Sequence, residues 1–379
     1  MLAATQHNMP QETFLTAAAA RLLSIPFRLA RRPFASPQKA LILHPCCLSQ
    51  VMLATPLLSI LSAAFPDTQF DWAVSDWARP AIAKNPHISE LLPTGDLGVT
   101  RMSLPELRTV AQQIRQGGYD TCLIPGRSSL LAWVAWQAGI PQRIGVASGG
   151  RGFAHTLVAP TRVGRQHAAD IYLSLAKACG VDLPPGERPP MEFHPADDDR
   201  TAVTQRLIDD LDWLGDVPLV IIHPGGGEGS LYEDPLKRWP SERFVRLINH
   251  LVRQHNARIL LVGGQQDHAL ATAIAGMTSV HCANWAGRIT LGELGALGEI
   301  ANLYVGNDTG PTHIAAAVGC PTLAIFGPSN PTLSAPYSPK SERVVTLWQG
   351  EEIRPFSWQE GVTVNQALKA ADQLLRLKN

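Results

Sequence analysis

The sequence lacks an excess of either charge, because 32 lysines and arginines balance 32 aspartates and glutamates. Without a net positive charge no long-range field attracts nucleic acid, and that class of partner is not expected. The sequence also lacks the run of roughly 18 to 20 apolar residues that a membrane-spanning helix needs. These absences exclude the membrane-spanning proteins and disfavour the nucleic-acid-binding ones.

Cysteine patterns and nucleotide fingerprints are missing as well. The six cysteines form no CxxC pair and no metal-ligand spacing, so we expect all of them to be reduced and structural, with neither a metal nor a cofactor bound. No GxGxxG segment follows a strand, and neither GxxxxGKS nor GxxxxGKT occurs. The dinucleotide-dependent oxidoreductases therefore lose their main support.

The first 38 residues are predicted to form a basic amphipathic extension. Apolar residues between Leu15 and Leu29 share one stripe, with Arg21, Arg28 and Arg32 on its flank. A secretory signal carries positive charge before its apolar region, whereas the first twelve residues here contain no lysine or arginine, so we expect no cleavage. The segment can lie on an anionic membrane surface or pack on the protein's own body, and the sequence favours neither.

A chain of 379 residues favours two domains, because a single core stops growing near about 250 to 300 residues. Short apolar runs alternate with helical stretches in both halves, which predicts parallel sheets with right-handed crossovers. A stretch rich in proline and acid separates the halves, as linkers do. The predicted parts are an extension at 1–38, a Rossmann-like domain at 39–180, a linker region at 181–217, a second Rossmann-like domain at 218–362, and a helix at 363–379 that could pack back across the linker.

The predicted strands are short apolar runs that mostly end in Gly, Pro or Asn, as buried parallel strands do. They are ALILHP, QFDWAV, DTCLIPG and QRIGVA in the first half, and VPLVIIHPGGG, RILLVGG, SVHCAN, NLYVGND and PTLAIFG in the second. The predicted fold is α/β, with two Rossmann-like lobes whose parallel sheets face a central cleft. Ligands should bind at the carboxyl ends of the strands.

The segment HPGGGEGSLYEDPLKRWP, which begins at His223, is the first predicted anion site. Its glycines place no Cβ atoms in the way, so backbone N–H groups can turn towards a diphosphate. A lysine and a serine add a positive charge and a hydroxyl donor. The residues expected to contact phosphate are Gly225, Gly226, Gly227, Ser230 and Lys237. The alternative is a flexible surface loop without a ligand.

The segment VGNDTGPTHIAAAVGCPTLAIFGPSNP, which begins at Val305, is the second predicted anion site. Residues 309–312 open a helix and should present free N–H groups and the positive helix end to a phosphate or a sugar hydroxyl. Asp308 would repel an anion, so it either bonds sugar hydroxyls or caps the helix. His313 is either part of this site or a packing histidine.

These segments resemble the family 9 glycosyltransferases, the group typified by the bacterial heptosyltransferases of lipopolysaccharide assembly. The resemblance rests on PGGG…KRWP, WAGRITLGELGAL, GNDTGPTHIAAAVGCPTLAIFGPSNP and, in the first half, ALILHPCCLSQVMLATPLLSILSAAFPDTQF. It covers roughly residues 40 to 375. It implies the two-lobed GT-B architecture, a nucleotide-diphosphate sugar held mainly by the second lobe, and transfer with inversion of the anomeric centre and without an essential metal.

The resemblance also implies roles for individual residues. Lys237 resembles the family lysine on the donor phosphates, and Asp308 resembles the aspartate that holds the donor sugar. Thr309 and Gly310 would line the phosphate side. The other implied donor contacts are Ile289 and Leu291 at the nucleobase, Gln266 or Asp267 near the ribose, and His313.

The sequence departs from the family at the residue that resembles the general base. Family members commonly carry a Gly-Asp pair after the first strand, and its aspartate takes the proton of the acceptor hydroxyl. Here the matching pair is Ser49-Gln50, and a glutamine amide cannot accept a proton at neutral pH. Candidate substitutes are Asp76 and the loop acids Glu228, Glu233 and Asp234, and His44 also ends a predicted strand.

The resulting hypothesis is an inverting glycosyltransferase in which Lys237 and Asp308 serve catalysis and Gln50 replaces the base, with Asp76 as the alternative base. It would move a sugar, with ADP-heptose as one candidate donor, to a lipopolysaccharide, lipid-linked or polysaccharide acceptor, as a cytoplasmic protein peripheral to the inner face of the membrane. The alternative is a non-catalytic nucleotide-sugar-binding homologue that lost the base. A two-lobed nucleotide-sugar epimerase fits the donor site too, but the sequence shows no acid and base pair for it.

Overall fold

The computed structural model describes residues 22, 24, 25, 27, 33–95, 97, 102–146, 151–159, 161, 165–183, 188–227, 235–338, 340–349 and 356–377. The chain divides into two compact units, Met1–Pro189 and Pro190–Asn379. The division falls inside the segment predicted as a linker, and the finer domain boundaries stay predictions. Within the described residues, every helix is too short or too polar to cross a membrane.

The first unit contains a six-stranded parallel sheet in the order β3-β2-β1-β4-β5-β6. Its strands are β1 Lys39–Leu43, β2 Gln69–Val74, β3 Glu90–Pro93, β4 Thr121–Ile124, β5 Gln142–Val146 and β6 Leu157–Ala159. Its helices are α1 Leu48–Ala64, α2 Leu104–Gln116, α3 Ser129–Gln137 and α4 Ala168–Ala178, with a 3₁₀ turn at Arg79–Ala81. Strands β1, β2, β4 and β5 are as the sequence predicts, whereas β3 and β6 were not predicted.

Helix α1 is buried along most of its length, which explains why its sequence is apolar on all sides. It contains Pro56, which has no N–H to donate to the Met52 carbonyl. The hydroxyl of Thr55 donates to that carbonyl instead, at 2.8 Å. The helix therefore continues through a proline without leaving a buried acceptor unsatisfied.

Two cysteines at the carboxyl end of β1 correct a prediction. Cys46 and Cys47 are joined by a disulfide, whereas all six cysteines were expected to be reduced. The expectation rested on spaced pairs such as CxxC, and that pattern does not cover adjacent cysteines. The remaining cysteines are free, as expected, and burial raises the pKa of the Cys320 thiol to about 12, so it stays protonated.

The second unit contains a six-stranded parallel sheet in the order β12-β11-β10-β7-β8-β9. Its strands are β7 Leu219–His223, β8 Arg258–Leu261, β9 Cys282–Asn284, β10 Leu303–Asn307, β11 Thr322–Ile325 and β12 Val344–Leu347. Its helices are α5 Asp197–Leu211, α6 Ser241–His255, α7 His268–Met277, α8 Leu291–Ile300, α9 Gly310–Ala317, α10 Pro331–Ser334 and α11 Val364–Leu375. Short 3₁₀ turns lie at Pro235–Lys237, Gln265–Asp267 and Ser341–Arg343.

Both faces of this second sheet are covered by helices. Helices α6, α7 and α11 share one core, and α5, α8 and α9 share the other. On α6 the buried residues Phe244, Leu247, Ile248 and Leu251 recur at the helical spacing of one apolar face. On α11 the same spacing is occupied mainly by alanines, at Ala367, Ala370 and Ala371, so the two helices can approach closely.

The segment predicted as a linker is more ordered than its composition indicates. Helix α5 spans Asp197–Leu211 and buries Val203, Leu207 and Leu211 against the second unit. Three aspartates in its first turn, Asp197, Asp198 and Asp199, favour the positive end of the helix. The acidic run therefore starts a helix, whereas its composition predicts part of a linker. The C-terminal helix α11 packs on α6 and on strands of the same unit.

Each sheet has one point at which the strand order reverses. In the second unit β7 lies between β8 and β10, and the chain runs outward from β7 in both directions. In the first unit β1 holds the same position between β2 and β4. In open α/β sheets, ligands bind beyond the carboxyl ends of the strands at this reversal.

Candidate active site

The two predicted anion segments of the second unit meet at the reversal of its sheet. His223 ends β7 and Asn307 ends β10, and these two strands are hydrogen-bonded neighbours. The glycine segment follows β7, and the turn into α9 follows β10. The fold therefore brings together two segments that are distant in the sequence.

The side chain of Asn307 holds the glycine segment at both of its ends. Its Nδ2 donates to the carbonyls of Pro224 and Gly225, at 3.0 and 2.8 Å, and its Oδ1 accepts from the N–H of Trp239 at 3.1 Å. Asn307 is fully buried, so each of these bonds forms away from competing water. Sequence reasoning did not single out this residue, although an asparagine inside a buried apolar strand is the signal that could have found it.

Lys237 and Asp308 form a buried ion pair between the end of the glycine segment and the turn into α9. The Lys237 ammonium lies 3.1 Å from Asp308 Oδ2 and donates to the Asp308 backbone carbonyl at 3.4 Å. The two side chains are only 13% and 8% exposed. The two residues predicted to hold phosphate and sugar are therefore in direct contact.

The charge state of Asp308 follows from this pair. Burial is the largest single effect and raises the pKa of the carboxyl group, but the contacts with Lys237, Ser329 and His313 together outweigh it, and the pKa lies below its ordinary value. The carboxylate is therefore ionised at neutral pH. A negative group beside an anion site can still serve a sugar donor, because it accepts hydrogen bonds from hydroxyl groups.

A second buried network, built on His223, lies behind the glycine segment. His223 Nε2 is 3.6 Å from Asp267 Oδ2, and His223 Nδ1 is 3.3 Å from the hydroxyl of Thr309. A Cβ added to Gly225 would lie 2.7 Å from both carboxylate oxygens of Asp267, so only glycine fits there. Asp267 also accepts from the Gly264 N–H at 3.0 Å. Burial raises the pKa of Asp267, but the contacts with His223, Gly264 and Arg238 together outweigh it, and the pKa is lowered.

The start of α9 offers fewer free donors than the sequence predicts. Thr309 is the N-cap residue, in an extended conformation. Pro311 has no N–H, and the N–H of Thr312 donates to the Thr309 carbonyl at 3.2 Å. An anion at this helix end would therefore rely on the N–H groups of Thr309 and Gly310. His313 is fully buried in the first turns of α9, and its charge contributes to the lowered pKa of Asp308.

The residues predicted at the ribose and nucleobase lie at the ends of the neighbouring strands. Gln266 is exposed in the turn after β8, whereas Asp267 beside it is buried against His223. Ile289 and Leu291 are half-buried at the start of α8, against the core that α5 and α8 share. Of this group, Gln266 is the residue with an exposed polar side chain.

The glycine segment is described in part. Pro224, Gly225 and Gly226 are buried and Gly227 is half-buried, at the carboxyl end of β7. Ser230 and the loop acids Glu228, Glu233 and Asp234 lie outside the described residues. The roles of these four residues stay predictions.

In the first unit, Gln50, which the sequence predicts at the position of the base, lies in α1. Gln50 is half-buried, and its Oε1 accepts a hydrogen bond from the hydroxyl of Tyr172 in α4 at 2.5 Å. Burial lowers the pKa of His44, at the end of β1, to about 4, so its imidazole is neutral at pH 7. The His44 and Tyr172 rings meet edge to face, with centroids 5.2 Å apart. Gln50, Tyr172 and His44 therefore form one packed cluster.

Asp76 is the exposed carboxylate at this edge of the first sheet. It follows Ser75, whose backbone N–H donates to the Pro45 carbonyl at 3.0 Å, so the ends of β1 and β2 are joined. Because Asp76 directly follows Ser75, this bond holds it near the segment that leads from β1 into α1. Because it is exposed, Asp76 can reach a ligand, whereas His44 is buried.

Two Rossmann-like units, each with a six-stranded parallel sheet, are the architecture of the GT-B glycosyltransferase fold that the sequence predicts. The model of glycosyltransferase family 9 (heptosyltransferase) matches residues 107–356, more than half of the chain, and the protein belongs to this family. Lipopolysaccharide heptosyltransferase 2 of Escherichia coli (strain K12) is 28% identical over 339 residues, which cover 85% of this chain and 92% of that protein.

Two solved structures show the same fold. The glycosyl transferase family 9 protein of Veillonella parvula DSM 2008 aligns with a TM-score of 0.77 at 23% identity, covering 89% of this chain and 97% of its own. The Escherichia coli ADP-heptose lps heptosyltransferase II aligns with a TM-score of 0.71 at 23% identity, covering 89% and 98%. These likenesses confirm the predicted α/β fold of two Rossmann-like units.

Proposed function

We propose that this glycosyltransferase moves a heptose from ADP-heptose to a hydroxyl group of a lipopolysaccharide-core or other lipid-linked acceptor, with inversion of the anomeric centre. The observation that carries the proposal is the Lys237–Asp308 pair, held at the reversal of the second sheet beside the glycine segment and the start of α9. The name of the Escherichia coli relative supports heptose as the sugar.

The donor would be bound by the second unit. The Lys237 ammonium and the N–H groups of Thr309 and Gly310 would hold the diphosphate, and the ionised Asp308 would accept hydrogen bonds from the sugar hydroxyls. Ile289 and Leu291 would pack on the base, and Gln266 would reach the ribose. Before the donor binds, the charges of Lys237 and Asp308 neutralise each other. On binding, the donor diphosphate would replace Asp308 as the charge partner of Lys237.

The chemical step is a substitution at the anomeric carbon. The acceptor oxygen forms a bond to this carbon, the bond from the carbon to the diphosphate oxygen breaks, and its electron pair leaves with ADP. The proton of the acceptor hydroxyl passes to a base. Lys237 and the α9 end would stabilise the charge that develops on the departing diphosphate.

We assign the base to Asp76. Gln50 cannot take a proton, and its Oε1 already accepts a hydrogen bond from the hydroxyl of Tyr172, while His44 is buried. Asp76 is an exposed carboxylate at the carboxyl edge of the first sheet. Asp76→Asn should lower kcat by 10²- to 10⁴-fold, a usual share for general base catalysis, while the Kd for the donor stays unchanged.

The test combines donor binding with acceptor-dependent release of ADP. Calorimetry with ADP-heptose and other nucleotide sugars gives the Kd, and Lys237→Ala and Asp308→Ala should abolish binding. Asp67→Asn is a matched control for Asp76→Asn, because Asp67 is exposed at the opposite end of β2. Equal kcat values for Asp76→Asn and the wild type would reject Asp76 as the base, and absence of donor binding in the wild type would reject the whole proposal.

Donor binding without transfer is the second candidate function. One support is the hydrogen bond between Gln50 and Tyr172, which places two neutral side chains where a base is predicted. The other is that α1, all of whose residues the structure describes, contains no acidic residue. The same assay separates the two functions. Binding of ADP-heptose without ADP release, across lipopolysaccharide-core acceptors, would establish the non-catalytic protein.

We also infer that the N-terminal extension contacts the membrane surface. Phe27 packs edge to face on Trp136 and Phe153 of the first unit, with ring centroids 5.7 and 5.8 Å away. Leu22 and Ile25 are 70% and 52% exposed, so apolar surface of the same segment stays in water. Co-sedimentation with anionic vesicles should be lost in Leu22→Asp/Ile25→Asp, and equal sedimentation of this variant would contradict the inference.

A further inference from the structure

A cluster of two histidines and one aspartate lies on the second unit, away from the residues that the proposed transfer uses. His250 and His255 belong to α6, and Asp372 belongs to α11. His250 Nε2 lies 2.9 Å and His255 Nε2 lies 2.7 Å from the same oxygen, Asp372 Oδ1. Two imidazole nitrogens and one carboxylate oxygen thus converge on one point.

We propose that His250, His255 and Asp372 form a binding site for a divalent transition-metal ion, with Zn²⁺ as the fitting case. The three ligand atoms all lie within 4.8 Å of one another. Ligands at zinc bond lengths of about 2.0 to 2.2 Å in a tetrahedral arrangement are about 3.3 Å apart. The two separations between a histidine Nε2 and Asp372 Oδ1 need to open by only about half an ångström to match this arrangement.

The ligand chemistry selects the class of ion. Imidazole suits zinc, copper, nickel, cobalt and iron, whereas magnesium and calcium prefer oxygen ligands throughout. The carboxylate already faces the point where the ion would bind, because its Oδ1 accepts hydrogen bonds from both imidazoles. On binding, the metal would displace the proton from each Nε2 nitrogen, which both rings now use to bond Asp372.

The surroundings leave room for further ligands. The three side chains are between 23% and 28% exposed, so water can complete the coordination shell. The rings of His250 and His255 have their centroids 6.1 Å apart with planes at 66°, so they approach the point from different directions. The site is half-buried at the surface of two packed helices.

The site would join two elements that are far apart in the sequence. Asp372 and His250 are 122 positions apart in the sequence, and the ion would bridge α6 to α11. His250 and His255 lie about 14 and 21 Å along α6 from its first residue, Ser241, which follows the glycine segment. The metal would therefore stabilise the packing of α11 rather than take part in sugar transfer, and its test does not depend on the proposed function.

The primary test is the binding of Zn²⁺ alone to the purified full-length chain, measured by calorimetry after treatment with a chelator. We expect one zinc ion per chain in the wild type. His250→Gln and His255→Gln should each weaken the affinity at least tenfold, whereas His281→Gln, which alters an exposed histidine elsewhere in the unit, should leave it unchanged. Glutamine keeps a donor towards Asp372, so the fold should persist.

Two further readouts keep the proposal testable if a variant is unstable. Co²⁺ should give visible absorption bands in the wild type that are absent from the double variant H250Q/H255Q. Zinc at a hundredfold excess over its Kd should raise the wild-type Tm by on the order of 5 °C and leave the double variant unshifted. No zinc binding by the wild type below millimolar concentration, or equal binding by the double variant, would overturn the site.

Discussion

The ammonium of Lys237 lies 3.1 Å from the carboxylate of Asp308, although the two residues are 71 positions apart. One comes from the end of the glycine segment and the other from the end of β10. This pair neutralises the proposed donor site and, because both partners are largely buried, links ligand binding to stability. Each partner can therefore be tested by its effect on folding as well as on binding.

Removing one partner of this pair should destabilise the protein. Lys237→Met leaves the Asp308 carboxylate buried without its counter-charge, which typically costs about 3 to 5 kcal/mol. The double variant Lys237→Met/Asp308→Asn should recover much of this loss, because it leaves no unpaired charge, while donor binding stays abolished. Urea unfolding and donor calorimetry measure the two effects. A double variant no more stable than Lys237→Met would show that the two residues are not coupled.

Asn307→Ala should weaken both folding and donor binding. It would remove the bonds to Pro224, Gly225 and Trp239, and each unsatisfied buried group costs about 1 to 3 kcal/mol. The matched control is Asn302→Ala, since Asn302 accepts from the Leu219 N–H at 2.8 Å at the opposite end of the same strands. The control should lose stability without losing donor affinity. Equal donor Kd values for the two variants would argue against a role of Asn307 in holding the glycine segment.

Gly225→Ala should destabilise the second unit by about 1 to 3 kcal/mol, the usual cost of overpacking. The new Cβ would lie 2.7 Å from the Asp267 carboxylate, which is held by His223 and by the Gly264 N–H. Gly276→Ala is the control, because open space surrounds that position in α7, and it should be neutral or stabilise by up to about 1 kcal/mol. Thermal unfolding measures the Tm of both variants, and we expect the lower value for Gly225→Ala. Equal Tm values would contradict the prediction.

The first unit should lose stability as the pH falls from 6.5 to about 4. Burial lowers the pKa of His44 from 6.5 to about 4 and that of His155 to about 3. In this window the unfolded chain binds protons that the folded chain does not, so the free energy of unfolding decreases as the pH decreases. For His44 the loss is on the order of 3 kcal/mol.

The measurement is urea unfolding of the wild type and of His44→Gln at pH 7, 6 and 5. The variant lacks one titrating group, so its stability should fall less steeply with decreasing pH. Parallel slopes for the two proteins would show that His44 does not take part in the pH dependence.

The sequence was sufficient for the parts that depend on local pattern. Short apolar runs, most of them ending in Gly, Pro or Asn, predicted nine of the strands. The glycine segment and the Asp308–Gly310 turn were predicted at strand ends, where the structure places them. Strands β3, β6 and β12 were not predicted. Both β3 and β12 are only partly buried, and the short apolar run of β3 is bounded by Glu90 and Pro93.

Tertiary structure alone decided which of these residues meet. Sequence pattern reports the local preference of the backbone and which face is buried, but it carries no record of contacts between residues 70 or more positions apart. Gln50 and Tyr172 are 122 positions apart, and nothing in either segment predicts their hydrogen bond. His250 and His255 lie five positions apart, a spacing that does not place two side chains on one helix face, so their convergence on Asp372 depends on the packing of α11. The residue types were fixed by the sequence, and the packing of helices on two parallel sheets arranged them into sites.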